Sequence, residues 1–418
     1  MPIHFNTKHI DRPFWTLFIA LVITAILALF SAGSTLAYNA EGGMFSPFIK
    51  QVIYLFLGVA VAFGVQMIPS NYIRLGGYLI LAISLFCLYL MLIPNSPFVK
   101  NINGAGRWFN LFGFQFQPSE LAKVGLIVSV ADLLSRIRSG EEGKEDAKRY
   151  FYITLGLTIF TCFPIMTGNL STALLLAGIV LLLWILVRIP SKYILTTLGI
   201  AVATMVIGYC IVEFGYLRPQ KKMNSKLFGR AITWVGRIDD MLAEQQEDEN
   251  TFRLTDDNYQ RSLAKVAVAR GGKTLFGVLP GNSKERDYLP LAYADYIFAI
   301  IVEETGIIGA ICLIVLYLLI LFRACWVSSR YEDYSAMLMV MGLALMIVCQ
   351  AFVSMAVAVG LGPVTGQPLP MISKGGTSVI ITSLYFGIIM AVAREQNERK
   401  ARVEASVRES YLDAPESV

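Results

Sequence analysis

About ten apolar stretches, each long enough to cross a lipid bilayer, follow one another along the chain. They lie near residues 14–38, 46–68, 72–94, 118–135, 151–166, 170–188, 193–217, 295–322, 335–362 and 374–393. Lipid offers the backbone no hydrogen-bonding partners, so each crossing segment is expected to satisfy its own peptide groups by forming a helix. The pattern therefore predicts an all-α integral membrane protein of about ten transmembrane helices.

Composition and the rarer residue types support this class. Of the 418 residues 56% are hydrophobic and 16% are charged, whereas soluble domains carry roughly 25% charged residues. The first stretch is longer than the apolar core of a signal peptide, so we expect it to be a retained anchor. Six cysteines lie in or beside the spans and predict no disulfide framework. The only histidines, His4 and His9, leave no basis for histidine catalysis or a histidine metal site.

Loop charges predict the orientation. Lys and Arg cluster before the first span, between the fourth and fifth, and after the sixth, eighth and tenth, whereas residues 39–45, 167–169 and 363–373 have none. The positive-inside rule then places both termini in the cytoplasm and the loops at 95–117, 218–294 and 363–373 outside. We expect one polytopic domain over 1–418, with a large extracytoplasmic loop (218–294) between helices 7 and 8 and a cytoplasmic tail (394–418).

The large loop, at about 75 residues, is longer than an ordinary structureless connection, which favours a functional role. It begins with an acidic stretch at 244–257. Apolar residues at helical spacing then predict a short amphipathic helix over 258–270, lying at the outer interface and ending before Gly271-Gly272. The Gly-rich turn Gly277–Lys284 is either an anion-binding nest or a plain connection.

Asp295 stands where this loop passes into an apolar span. A carboxylate at the mouth of a span opposes insertion because the ion must lose water, so it is a candidate functional residue. The alternative is that Asp295 is only a helix N-cap. Glu303 and Glu304 follow, roughly 12–13 Å deeper if the helix is continuous, with a structural role as plausible as a chemical one.

Two further polar clusters belong to the predicted outward layer. Glu120 and Lys123 share one face of the fourth span and form either a local ion pair or part of a site. The Pro- and Gly-rich segment 362–378 predicts irregular backbone that protein or water must satisfy. If the last span begins near Ser373, its N-terminal amides and Lys374 offer phosphate a positive site. Arg107, Lys123, Lys273, Lys284 and Arg286 are cations of the same layer.

One carboxylate, several outward cations and a lipid-facing body fit an anionic lipid-linked substrate whose head group is processed outside the membrane. A diphosphate leaving group needs cations but no proton, so a single carboxylate base suffices for an inverting glycosyl transfer. Hydrolases that follow the same stereochemistry need a second carboxyl group to protonate the departing oxygen.

Seven collinear motifs resemble the SEDS family (shape, elongation, division and sporulation proteins) over nearly the whole chain. They are Gly106–Trp108 with Gln117–Lys123, Tyr259–Leu263 with Gly271-Gly272, Gly281–Lys284, Tyr288–Pro290, Asp295–Ala299 with Glu303-Glu304, Gly362–Gly366, and Ile372–Ser378. The sequence Phe30–Tyr38 and the compact termini are more similar to the cell-division branch than to the cell-elongation branch.

The resemblance implies a peptidoglycan glycosyltransferase of the bacterial inner membrane that polymerises lipid II during septal wall synthesis, with Asp295 catalytic. It also implies a class B penicillin-binding protein as transpeptidase partner, other division proteins of the membrane, and no nucleic acid. The residues expected to bind substrate are Arg107, Glu120, Lys123, Gln260, Ser262, Lys284, Ser373, Lys374, Thr377 and Ser378. A divalent cation, Mg²⁺ or Mn²⁺, could assist, although no ligand cluster demands one.

Three positions depart from the family pattern. Asn169 replaces the usual aspartate after the fifth span, which argues against a charge or metal-ligand role at that position. Lys374 replaces the usual tyrosine and adds a cation, and Ser354 replaces the usual asparagine in the ninth span. Two other functions stay open: a flippase that transports lipid-linked precursors, and a division scaffold without chemistry.

Overall fold

The computed structural model of the chain describes residues 9–32, 46–93, 99–102, 105–111, 114–139, 144–214, 236, 259–289, 293–330 and 333–412. The acidic stretch 244–257 lies outside these residues. The helices are α1 (Arg12–Ala32), α2 (Ser46–Gln66), α3 (Ser70–Leu92), α4 (Pro118–Ser139), α5 (Lys144–Gly168), α6 (Leu170–Leu186), α7 (Ser191–Phe214), α8 (Tyr259–Gly271), α9 (Ile297–Ser328), α10 (Tyr334–Ala358) and α11 (Gly376–Leu412).

Eight of the described helices are long and apolar enough to cross a membrane: α1, α2, α3, α5, α7, α9, α10 and α11. Helix α6 is apolar but has only 17 residues, and α4 carries Glu120, Lys123 and Asp132 within its length. The prediction of a helical multi-pass membrane protein is confirmed. The total of ten spans, the single domain over 1–418 and the sidedness of the loops stay predictions.

The chain between α3 and α4 holds a small sheet that the all-helical prediction did not include. Strands β1 (Val99–Ile102), β2 (Ala105–Leu111) and β3 (Phe114–Phe116) pair antiparallel in the order β1-β2-β3. Phe109 pairs with Phe116, and their rings lie 5.6 Å apart. Aromatic residues favour strands because they pack well across a pleated surface, but runs this short carry too little periodicity to be recognised.

The core lies where α10 meets its neighbours. Helix α10 contacts α4, α6, α9 and α11, while α11 lies along α2 and α3 lies along α4. Small residues permit the close approaches: a Cβ on Gly125 of α4 would lie 2.6 Å from the backbone nitrogen of Leu81 in α3. Helix α7 differs, because none of the residues in its apolar window is buried.

Helix α9 is broken near its first third, which corrects the expectation of one continuous helix from residue 295. Gly306 has φ +69, and a Cβ there would lie 2.4 Å from the backbone nitrogen of Gly277. The loop after α8 passes through this break, where Ile307 N donates to Thr274 O at 3.3 Å and Ile308 N to Leu275 O at 3.2 Å. Only glycine combines this φ with so close a neighbour.

The irregular segment between α10 and α11 runs through the interior, as its Pro and Gly content predicts. Leu369, Met371 and Ile372 are buried. Side chains of the spans satisfy its backbone: Gln350 Nε2 donates to Pro368 O at 3.0 Å and Tyr317 OH donates to Pro370 O at 2.6 Å. Buried backbone outside regular structure needs such hydrogen-bond partners. The two bonds from Gln350 and Tyr317 therefore hold the segment that leads to Lys374 in place.

Candidate active site

Asp295 lies in a turn formed by residues 293–296, directly before α9. Its side chain is half-buried, neither sealed in the core nor fully exposed. Tyr296 occupies the N-cap position of α9 and makes no capping bond with its side chain. The N-cap interpretation of Asp295 is therefore not what the geometry shows, and the carboxylate stands at the mouth of the helix.

The segment before α11 is joined to this turn by two hydrogen bonds. Lys374 N donates to Tyr293 O at 2.9 Å, and the hydroxyl of Ser373 donates to the carbonyl of Ala294. Ser373 Oγ also accepts from Leu369 N at 2.9 Å, which makes this buried side chain a link within the backbone. The structure thereby brings Asp295 together with Ser373 and Lys374, since the bond from Ser373 to Ala294 joins residues 79 positions apart.

Two charged side chains of opposite sign lie near the Tyr293 ring. Lys374 Nζ lies 4.9 Å from the centre of the Tyr293 ring, within the range of a cation–π contact. Burial, and then the nearby charge of Lys50, lower the pKa of Lys374. Burial and the charge of Asp295 raise the pKa of Tyr293, so its hydroxyl stays protonated. A carboxylate and an amine thus flank one aromatic ring.

Two further predicted residues lie in the first turn of α11. The hydroxyl of Ser378 donates to Gly375 O at 2.8 Å, and Thr377 is buried. The first N–H groups of any helix lack partners within the helix and carry partial positive charge. The site can therefore offer an anion both helix amides and the Lys374 amine.

Glu120 and Lys123 form the ion pair that one of the two interpretations predicts, with Nζ 2.8 Å from Oε1. Lys123 is fully buried, and its amine also donates to Gln350 Oε1 at 3.0 Å. Since Gln350 holds Pro368 O, the network ties α4 to the segment that ends in Lys374. In this arrangement the Lys123 amine contacts two side chains of the protein itself, which favours a role in positioning the segment.

The Gly-rich turn is an anion nest, but the anions are the chain's own Glu303 and Glu304. Gly281 N donates to Glu304 Oε1 at 3.1 Å, and Lys284 N donates to Glu303 Oε1 at 3.2 Å. The hydroxyls of Ser283 and Ser31 bond Glu303 and Glu304, respectively. The two glutamates therefore have the structural role. We call the turn Gly277–Lys284 with Glu303 and Glu304 the clamp, and the exposed side chain of Lys284 projects from it.

The remaining predicted residues are placed less directly. Helix α8 confirms the predicted amphipathic helix, and it packs on α9 and α10 with Ser262 buried and Gln260 half-buried. Arg107 belongs to β2, and its side chain is outside the part of the chain that the structure describes. Asn169 caps α6 by accepting from Thr172 N at 3.3 Å, a role that an aspartate fills equally well.

Sequence reasoning missed four residues that the structure places at or behind the site: Lys50, Gln51, Tyr293 and Gln350. Gln350 and Gln51 are polar residues within apolar spans, which is a recognisable signal of a buried role. Lys50, a charge near the start of the predicted span 46–68, carries the same signal. Among the described residues, no group of three or more His, Cys, Asp or Glu could hold a metal ion.

Comparison with known families now adds a second line of support. A family model described as cell cycle protein, which groups FtsW, RodA and SpoVE, matches residues 11–398. The chain belongs to the FtsW/RodA/SpoVE family. The match begins just before α1 and ends within α11, so the Asp295 turn, the clamp and the segment before α11 all lie inside it.

Family members of known name are similar along almost their whole length. The chain is 29% identical to a Marinomonas mediterranea protein named "Probable peptidoglycan glycosyltransferase FtsW", covering 94% of this chain and 89% of the relative. It is 30% identical to the Mycobacterium tuberculosis protein of the same name, covering 95% and 71%. The peptidoglycan glycosyltransferase MrdB of Escherichia coli is 26% identical, covering 92% and 93%.

Solved structures share the fold of this family member. A chain of a peptidoglycan synthase complex superposes with a TM-score of 0.69 at 24% identity, covering 93% of this chain and 98% of its own. The rod shape determining protein RodA of Thermus thermophilus superposes with a TM-score of 0.62 at 23% identity, covering 94% and 99%.

Proposed function

We propose that this member of the FtsW/RodA/SpoVE family is a peptidoglycan glycosyltransferase that polymerises lipid II into glycan strands during septal wall synthesis. The names of its relatives support the activity and the division role. The observation that carries the proposal is the half-buried Asp295, held beside Lys374 and the N-terminus of α11 by two hydrogen bonds. A base and a diphosphate-binding cation are the two groups that this transfer requires.

In the proposed step Asp295 accepts the proton of the GlcNAc 4-hydroxyl of one lipid II molecule. The freed oxygen forms a bond to the anomeric carbon of the terminal MurNAc of the growing strand, and its configuration inverts. The bond from that carbon to the diphosphate oxygen breaks, and undecaprenyl diphosphate leaves with the electron pair. General-base catalysis by a positioned side chain contributes roughly 10²–10⁴-fold to a rate.

Cations and helix amides stabilise the departing diphosphate in this mechanism. Lys374, Thr377 and Ser378 stand at the N-terminus of α11 and are assigned to that task, with Arg107 and Lys284 as outer contacts. Electrostatic groups aimed at the developing charge lower the barrier because they need no reorganisation during the reaction. Ser373, Glu120 and Lys123 position this set; Gln260 and Ser262 on α8 are assigned to the sugars.

The protein is expected to lie in the bacterial inner membrane with both termini in the cytoplasm and Asp295 facing outward, as its loop charges indicate. We propose a class B penicillin-binding protein as its partner, because similar chains work in a peptidoglycan synthase complex that couples polymerisation and crosslinking. Other division proteins of the membrane are expected partners. A Mg²⁺ or Mn²⁺ ion would bind mainly to substrate phosphates and at most one carboxylate, Asp295.

The test compares polymer formation by four forms of the purified protein with its transpeptidase partner and labelled lipid II. The wild type is expected to form polymer, whereas Asp295→Ala and Asp295→Asn form none. Glu285→Gln, which neutralises a different half-buried carboxylate of the same loop, is the matched control and keeps activity. Unchanged polymer from Asp295→Asn would remove Asp295 from the mechanism, and lipid movement without polymer would leave a flippase.

A further inference from the structure

The N-terminus of α11 gathers two cations that the described residues do not neutralise. Lys374 stands two residues before the helix, and Lys50 near the start of α2 is close enough for its charge to lower the pKa of Lys374. Within the described ranges, neither amine forms an ion pair with an acidic side chain. Lys50 is exposed and Lys374 is half-buried, and an anion bound by both amines would offset their mutual repulsion.

Two buried polar side chains lie at the start of α11. Gln51 is 3% exposed, and its Oε1 accepts from Gly375 N at 3.4 Å, which sets the amide against the start of α11. Among the described residues, neither its Nε2 nor the hydroxyl of Thr377, which is 6% exposed, has a hydrogen-bond partner. Buried donors are almost always satisfied in folded proteins, so unsatisfied ones indicate a missing ligand or water.

The backbone adds a third contribution. Helix α11 has 37 residues, and the first N–H groups of a helix bind phosphate through hydrogen bonds and the helix dipole. Gly375 N already donates to Gln51 Oε1, so the amides that follow it in the first turn of α11 are the ones left for an anion.

We propose that Lys50, Gln51, Lys374 and Thr377 form a diphosphate site that holds the lipid carrier of the growing strand beside Asp295. The assignment rests on the proposed glycosyl transfer and adds α2 to the machinery. A diphosphate fits better than a monophosphate because its two phosphoryl groups can contact an amine each. The occupant is the leaving diphosphate, because it is bonded to the carbon that the activated hydroxyl attacks. That carbon must lie close to Asp295, and the proposed site adjoins the turn that carries Asp295.

The experiment measures binding rather than turnover, so that it fails or succeeds independently of the polymerisation assay. Farnesyl diphosphate, farnesyl monophosphate and farnesol are titrated against the full-length protein in neutral-lipid nanodiscs. The diphosphate is expected to bind tightest, and Lys50→Gln and Lys374→Gln are each expected to weaken it by about tenfold, the effect of one lost charge-assisted contact. Lys374→Arg keeps a cation and is expected to restore most of the affinity.

Lys273→Gln is the matched control, because Lys273 is an exposed cation of the loop after α8. Equal affinity of the wild type, Lys50→Gln and Lys374→Gln for farnesyl diphosphate would overturn the proposal. Equal weakening by Lys273→Gln would show only nonspecific charge attraction and would also overturn it. Competition by phosphatidylglycerol nanodiscs as strong as by the diphosphate would assign the site to phospholipid head groups instead.

Discussion

Lys123→Met removes the cation at the centre of the Glu120–Lys123–Gln350 network. The Lys123 side chain has no exposed surface and that of Glu120 is 8% exposed, so the carboxylate would be left charged and without its partner in the interior. Removing one member of a buried ion pair costs about 3–5 kcal/mol. The free energy of unfolding should fall by that amount, measured by SDS titration in mixed micelles with tryptophan fluorescence.

Two further variants make this prediction specific. The double variant Glu120→Leu with Lys123→Met removes both charges, so only Gln350 Oε1 loses a partner, and the loss should shrink to about 1–3 kcal/mol. Arg136→Met breaks the Arg136–Asp132 pair, whose arginine side chain is 54% exposed. Exposed pairs contribute less than about 1 kcal/mol, and Asp132 keeps its hydrogen bond from Tyr78 at 2.9 Å.

The reasoning would be refuted if Lys123→Met cost no more than Arg136→Met, because the pair would then not be desolvated. It would also be refuted if the double variant were as unstable as Lys123→Met, since the unpaired carboxylate would not be the cause. A loss of activity without a loss of stability would instead show that the Lys123 amine touches the substrate.

Three other predictions address the helix break, the segment before α11 and the diphosphate site. Gly306→Ala should lower the free energy of unfolding by about 1–3 kcal/mol because alanine disfavours a positive φ. A loss of less than about 0.3 kcal/mol in the same SDS titration would contradict the break in α9. Tyr317→Phe should cost about 1–3 kcal/mol because Pro370 O loses its donor, whereas an unchanged titration midpoint would mean that another group replaces it. The affinity for farnesyl diphosphate should begin to fall at a lower pH in the wild type than in Lys374→Arg. Burial and Lys50 lower the pKa of Lys374, so its amine loses its charge as the pH rises, whereas arginine stays charged. Identical pH profiles would contradict a role for this amine.

The helices and the carboxylate at the helix mouth could be predicted from the sequence because their signals are local. Apolar length predicts spans such as α10 directly, and Asp295 is conspicuous as a charge at the start of one. The amphipathic spacing over 258–270 likewise predicted α8. Pro and Gly content predicted irregular, internally satisfied backbone before α11, and Gln350 and Tyr317 provide that satisfaction.

The remaining features depend on contacts between distant parts of the chain. Gln51 and Gly375 are 324 positions apart, and no local pattern indicates that the charge of Lys50 acts on Lys374. The break at Gly306 depends on the loop after α8, whose residue Gly277 packs against Gly306 although it lies about thirty positions earlier in the chain. The Gly-rich turn was correctly predicted as a possible anion nest, yet only the fold shows that Glu303 and Glu304 fill it.

The central claim is that Asp295 takes a proton during glycosyl transfer. Release of undecaprenyl diphosphate from lipid II, measured together with lipid II binding in the same preparation, tests it most directly. Asp295→Asn is expected to bind lipid II as the wild type does and to release the diphosphate about 10²–10⁴-fold more slowly. Release within tenfold of the wild-type rate, at unchanged binding, would contradict the account.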